Sequence, residues 1–133
     1  MGKIVKKILL IDDDEEMCDE LSQILRDEGY SVTSTFNGVE GSRLLLRNEY
    51  DLLMLDIKMP GINGVEILKT AKEKNVRAKI LVVTGSFMIN KLLKEGNVPE
   101  EGEDQTILKL ADCLVSKPFD IEGLLERIKE LTC

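Results

Sequence analysis

The chain contains no histidine. That absence removes imidazole as a general acid or base, as a metal ligand and as a phosphoryl carrier on this polypeptide. Cysteine is sparse. Cys18, Cys113 and Cys133 are odd in number and form no CxxC pair, which gives neither a disulfide framework nor a zinc site. No apolar run approaches the roughly 18 residues of a membrane span. The opening MGKIVKKILLI has the lysines and short apolar stretch of a secretory leader, but IDDDEE follows where a small-residue cleavage site would stand. The expectation is a cytoplasmic protein without a membrane segment. Positive charge is also short: the formal net charge is −7. Direct nucleic-acid binding needs clustered lysine and arginine and is not expected here. Carboxylate, hydroxyl and lysine chemistry remain.

What is present suffices for one folded unit. A length of 133 residues is near the commonest domain size, and 43% apolar residues can fill one core. No linker or repeat divides the sequence, so residues 1–133 read as a single domain. Ile8–Ile11 is a continuous apolar run, as a strand buried on both faces requires. Met17, Leu21, Ile24 and Leu25 then follow a helical stripe, which Gly29 ends. Ser31–Thr35 alternates like a strand, and Val39–Asn48 reads as a helix. Leu52–Leu55 is apolar and ends on Asp56. Asn63 or a neighbour can cap a helix carrying Val65, Ile67, Leu68 and Ala71. Ile80–Val83 ends on Thr84, and Cys113–Ser116 ends on Lys117. Ile121, Leu124, Leu125 and Ile128 mark a last helix. Strands alternating with helices call for an α/β fold with a parallel sheet covered on both faces.

The polar residues of interest fall where apolar strand runs stop: Asp12 and Asp13, Asp56, Thr84, and Lys117. In an open α/β sheet the carboxyl ends of the strands share one edge, and ligands bind there. Converging carboxylates repel one another, and a hard divalent cation such as Mg²⁺ relieves the cost. A lysine and a short hydroxyl suit phosphoryl oxygens, and a carboxylate can itself be the nucleophile. Each residue alone has a plainer role: Asp14 as a helix N-cap, Thr84 as a strand end, Lys117 as a loop residue beside Pro118. The joint pattern points to phosphoryl transfer.

Four segments, KILLIDDDEEM, YDLLMLDIKMPGINGVEIL, ILVVTGS and ADCLVSKPF, resemble the receiver domains of two-component response regulators. The likeness runs from about Lys6 to Leu131, and DIKMPGINGVEIL is its most specific piece. The resemblance implies a flavodoxin-like (βα)5 three-layer sandwich with parallel strand order 2-1-3-4-5. It implies Asp56 as phosphoacceptor, supplied by a histidine kinase or a phosphotransfer protein. Asp13, Asp56 and the backbone carbonyl of Lys58 would hold Mg²⁺, with Asp12 acting largely through water. Lys117 would pair with Asp56 before phosphorylation and with a phosphoryl oxygen after it. Thr84 would swing its hydroxyl onto the phosphoryl group, and the Lys117–Pro118 bond would be cis. Lys58 and Ser86 stand where the family tunes phosphoryl loss to water.

Two departures from the pattern stand out. Leu114 occupies a position where many receivers carry an aromatic ring that reports the switch. The stretch at about 85–106, which includes the acidic EGNVPEEGED, is longer than usual. It is expected to alter the fourth helix of a partner-binding face. Three rivals are weaker. A receiver that is never phosphorylated would not keep every acidic, hydroxyl and lysine position. An aspartate-nucleophile phosphohydrolase typically has a second aspartate where Lys58 stands. An FMN carrier would not place IDDDEE against a phosphate. The expected protein is therefore a phosphoacceptor signalling module rather than an enzyme with a small-molecule substrate. It is either free-standing or part of a longer regulator, and it acts on an unknown downstream protein or fused output domain.

Overall fold

The computed structural model describes residues 4–59, 62–74, 77–85 and 109–133. Strands β1 (Lys7–Ile11), past its exposed first lysine, and β3 (Leu52–Asp56), up to its terminal aspartate, are apolar runs with almost no exposed surface. They are central because a strand apolar on both faces must be covered on both. β2 (Ser31–Thr35), which alternates buried and exposed residues, lies at one edge. β6 (Lys79–Gly85) and β7 (Cys113–Lys117) complete the sheet on the other side. The order is β2-β1-β3-β6-β7 and every pairing is parallel. Numbered among the sheet strands alone, this is 2-1-3-4-5, as expected. Between β3 and β6 lies an element not foreseen, a two-residue antiparallel ladder of β4 (Lys58–Met59) and β5 (Ile62–Asn63).

The helices are α1 (Glu15–Asp27), α2 (Gly38–Arg47), α3 (Gly64–Glu73) and α4 (Ile121–Thr132). Their starts follow from local chemistry. Asp14, Asn37 and Asp120 each accept a backbone N–H of the first turn: Met17 at 3.1 Å, Val39 at 2.8 Å and Gly123 at 3.2 Å. α1 stops as Gly29 stood to stop it. Gly29 has φ 99°, its N–H reaches the Arg26 carbonyl, and the Tyr30 N–H reaches the Leu25 carbonyl. This pair of bonds satisfies carbonyls that the helix end would leave bare.

The buried stripe of α1 keeps the expected Leu21 and Leu25 but takes Cys18 and Ser22 in place of Met17 and Ile24. Cys18, Leu21, Ser22 and Leu25 are buried, whereas Met17 and Ile24 are only half-buried. Cysteine is small and apolar enough to lead a helix into a crowded core. The core has two layers. α1 and α4 cover Ile8, Leu10, Met54, Leu81 and Val83 on one face of the sheet. α2 and α3 cover Leu9, Ile11, Leu53, Leu55 and Val82 on the other. Successive strand side chains point to opposite faces, so each central strand feeds both layers.

Candidate phosphoacceptor site

The parallel ladders bring the strand ends to one edge. Asp12 and Asp13 follow β1 directly, Asp56 ends β3 and Lys117 ends β7. The register sets Asp56 opposite Val83, Thr84 opposite Ser116 and Gly85 opposite Lys117. Thr84 is thus one residue beyond Asp56 along β6, at the expected edge; its side chain lies outside the described part. The backbone of Lys58 opens β4 two residues after Asp56, and its side chain is likewise outside. Ser86 and, apart from Gly85, the longer stretch at about 85–106 lie outside the described residues, as does any altered fourth helix.

Carboxylate oxygens of Asp12, Asp13 and Asp56 all come within 4.8 Å of one another. The Lys117 ammonium lies 2.9 Å from Asp12 Oδ2 and 3.5 Å from Asp56 Oδ2. Asp12 is the anchor. It is 1% exposed, and each of its polar groups is engaged. Its Oδ1 accepts the Asp14 N–H at 3.0 Å, its Oδ2 takes Lys117, and its own N–H donates to the Thr35 carbonyl at 3.2 Å. The Cys18 thiol donates to the Asp12 carbonyl at 3.4 Å. Asp13, by contrast, is exposed and makes no ion pair or side-chain hydrogen bond with the described residues.

Burial works against the charge on Lys117, but the hydrogen bond and charge of Asp12, reinforced by Asp56, outweigh it and raise the ammonium's pKa above its ordinary value. The lysine therefore stays cationic. The Cys18 thiol is pushed up to about 12, first by burial and then by the negative charges of Asp12, Asp14 and Asp19, against a smaller opposing pull from Lys117. A thiol held protonated is not a metal ligand. The donors open to an ion here are hard carboxylate oxygens, the set that suits Mg²⁺ and not a thiophilic metal. The acidic cluster could bind such a metal.

Sequence reasoning found Asp12, Asp13, Asp56 and Lys117, and the structure brings all four together. The Lys117–Pro118 bond is cis, as the resemblance implied. Two contributors went unnoticed. Cys18 supports the Asp12 turn, a role its place one turn into α1 would have suggested had the helical stripe been read one residue later. Gly64 lets α3 start against the chain that follows Asp56. A Cβ there would lie 2.7 Å from the Ile57 carbonyl oxygen and 2.8 Å from its Cα. Leu114 is paired with Val82 and packs partly buried against the α2–α3 side of the core.

The model of the response regulator receiver domain family matches residues 8–129, and this chain belongs to that family. It is 32% identical over 122 residues to the uncharacterized transcriptional regulatory protein YkoG of Bacillus subtilis, covering 92% of this chain and 49% of that protein. It is 32% identical over 125 residues to the response regulator ArlR of Staphylococcus saprophyticus, covering 94% of this chain and 51% of that one. The chain thus spans about half the length of the curated relatives it matches. Among solved structures, the CheY-like receiver domain protein of Methanospirillum hungatei superposes with TM-score 0.77 at 32% identity, covering 96% of this chain and 93% of that one. TrrA of Thermotoga maritima, solved in complex with Mg²⁺ and beryllofluoride, gives TM-score 0.77 at 31% identity over 96% of this chain and 99% of that one. The fold is flavodoxin-like, and the protein is a receiver of the two-component class.

Proposed function

We propose that residues 1–133 act as one Mg²⁺-dependent phosphoacceptor domain, phosphorylated on Asp56. The observation that supports this most directly is the acid cluster with Lys117 across it, at 2.9 Å from Asp12 and 3.5 Å from Asp56. Asp13, Asp56 and the Lys58 carbonyl would hold Mg²⁺, with Asp12 contributing through water. The ion would neutralise the carboxylates and the incoming phosphoryl oxygens. An Asp56 oxygen attacks the phosphorus of the donor. The new O–P bond forms in line as the donor's bond to phosphorus breaks, and the leaving group keeps that electron pair. Lys117 exchanges a carboxylate partner for a phosphoryl oxygen, and the Thr84 hydroxyl donates to another.

The donor is a histidine kinase or a phosphotransfer protein, as membership of the receiver family implies. The reading is of a signalling switch in the cytoplasm, acting on a downstream protein or a fused output domain rather than turning over a small molecule. The half-length match to transcriptional regulators supports the fused alternative. Incubation with Mg²⁺ and acetyl phosphate, followed by intact mass, tests the site. One added phosphoryl group is expected in the wild type, and none without Mg²⁺ or in Asp56→Ala. If neither acetyl phosphate nor beryllofluoride engages the wild-type protein, the switch is abandoned and only the fold stands.

A further inference from the structure

Helix α2 turns an unusual face outward. Gly38, Gly41 and Leu45 are buried against the sheet, which leaves Val39, Arg43, Leu46 and Arg47 together on the opposite side. Val39 and Leu46 are 56% and 52% exposed, and Phe36, just before the helix, is 43% exposed. These three are half of the large exposed apolar residues among the described part of the chain, and two of them share the outward face of α2. Scattered surface apolar residues need no explanation, but Val39 and Leu46 stand two turns apart on one face of a single helix.

The charge beside the stripe runs against the molecule as a whole. Arg43 and Arg47 make no ion pair or side-chain hydrogen bond with the described residues. Next to Leu46 a groove of ≈ 320 Å³ continues past the end of α2 to Lys74 and Arg77, which are likewise unpaired among the described residues. Two acids share this side: Glu40, which accepts from the Thr35 hydroxyl at 3.2 Å, and Glu49, which lines the same groove as Lys74 and Arg77. Four cations with no ion pair among the described residues still outnumber them, a local excess of positive charge on a chain of net charge −7. That combination complements a partner whose contact face is apolar with acidic flanks. A ten-residue helix presents a ridge of about 15 Å, the length of two to three turns of a partner helix.

We propose that the outer face of α2, with Lys74 and Arg77 at its end, is a docking surface for an acidic amphipathic helix of a partner protein. The anchors are Val39 and Leu46; the arginines set the sign of the partner and steer its approach. The surface lies on the α2–α3 layer, away from the α1–α4 layer, and does not require phosphorylation of Asp56.

The test uses two synthetic helical peptides with the same leucines at i, i+3, i+4 and i+7, one flanked by glutamates and one by lysines. Each is titrated into the ¹⁵N-labelled full chain and followed by amide shifts, with sedimentation of the chain alone as a companion measurement. The acidic peptide is expected to shift α2 amides, with affinity falling severalfold from low to physiological salt. Arg43→Glu/Arg47→Glu and Val39→Ser/Leu46→Ser should each weaken it at least tenfold while the amide spectrum elsewhere and acetyl phosphate labelling stay unchanged. Equal binding of both peptides, no binding of either, or shifts confined to amides away from α2, Lys74 and Arg77 overturns the proposal. So does self-association of the wild type that Arg43→Glu/Arg47→Glu abolishes, which would make a second copy the occupant. Binding to phosphatidylserine vesicles without binding to the acidic peptide would make it a membrane face instead.

Discussion

Asp12 and Asp13 are adjacent in sequence and opposite in circumstance. Asp12 is sealed in and held through both carboxylate oxygens, its carbonyl and its N–H; Asp13 is exposed and answers to no cation among the described residues. Its main electrostatic experience is repulsion from two carboxylates with oxygens within 4.8 Å. Asp13→Asn should therefore raise Tm by a few degrees in EDTA, a fraction of a kcal/mol for a domain of this size. If Mg²⁺ is held as proposed, adding it should raise the wild-type Tm, and the same change should abolish that gain. Thermal melts with and without the metal check both halves, and a lower Tm in EDTA would sink the repulsion account. Ser22 offers a second test. Its hydroxyl is buried in α1 with no hydrogen-bond partner among the described residues. An unsatisfied buried hydroxyl costs about 1 kcal/mol or more, so Ser22→Ala is expected to be neutral to stabilising by about that amount. Chemical denaturation measures it; a loss of 1 kcal/mol would show that the hydroxyl has a partner after all.

At the scale of elements, the helices are held at their ends by local signals and along their lengths by tertiary contacts. The cap Asp14 was readable because a side-chain oxygen three residues before a helical stripe has few other uses, and the structure adds Asn37 and Asp120 in the same role. The identity of the buried stripe in α1 was less readable. Met17 and Cys18 are both apolar, and only the neighbouring strands decide which of them turns inward. α3 depends on a close approach that no pattern announces. Its first residue, Gly64, sits against the Ile57 backbone, which cannot move aside as a flexible side chain can. Gly64→Ala should cost about 2 kcal/mol, seen as a lower urea midpoint at unchanged m-value. Because Ile57 adjoins Asp56, the same variant should weaken Mg²⁺ binding. Wild-type stability in this variant would mean that α3 starts with more room than its position shows.

Across the whole molecule, one ammonium at the end of β7 ties the far strand to β1 and β3. Asp12 and Lys117 are 105 positions apart, yet their side chains meet at 2.9 Å. The buried thiol beneath them gives the stability an alkaline limit. Folding raises the Cys18 pKa to about 12, so the folded state keeps a proton that the unfolded chain releases once pH passes the ordinary thiol range of about 8.5. Its contribution is fully present below that range and declines as pH rises toward 12. The raised pKa of Lys117 acts in the same direction, from the ordinary lysine range upward. Denaturation curves at intervals from pH 7 to 11 should show stability falling above about pH 9, with a shallower fall in Cys18→Ala. An identical slope in both would remove Cys18 from the account.

Sequence by itself determined the alternation of elements, the central place of the all-apolar strands, and the chemical character of the residues at the strand ends. These follow from periodicity, turn residues and the rule that parallel strands share a carboxyl edge, which place Asp12, Asp13, Asp56 and Lys117 in one pocket without coordinates. Their precise roles did not follow. That Lys117 lies closer to Asp12 than to Asp56, that Asp12 is sealed while Asp13 is open, and that Cys18 supports the turn all depend on packing between elements distant in sequence. The outward face of α2 is of the same kind. Its residues were legible as a helix, but their exposure depends on which side the sheet covers, and only the tertiary structure decides that.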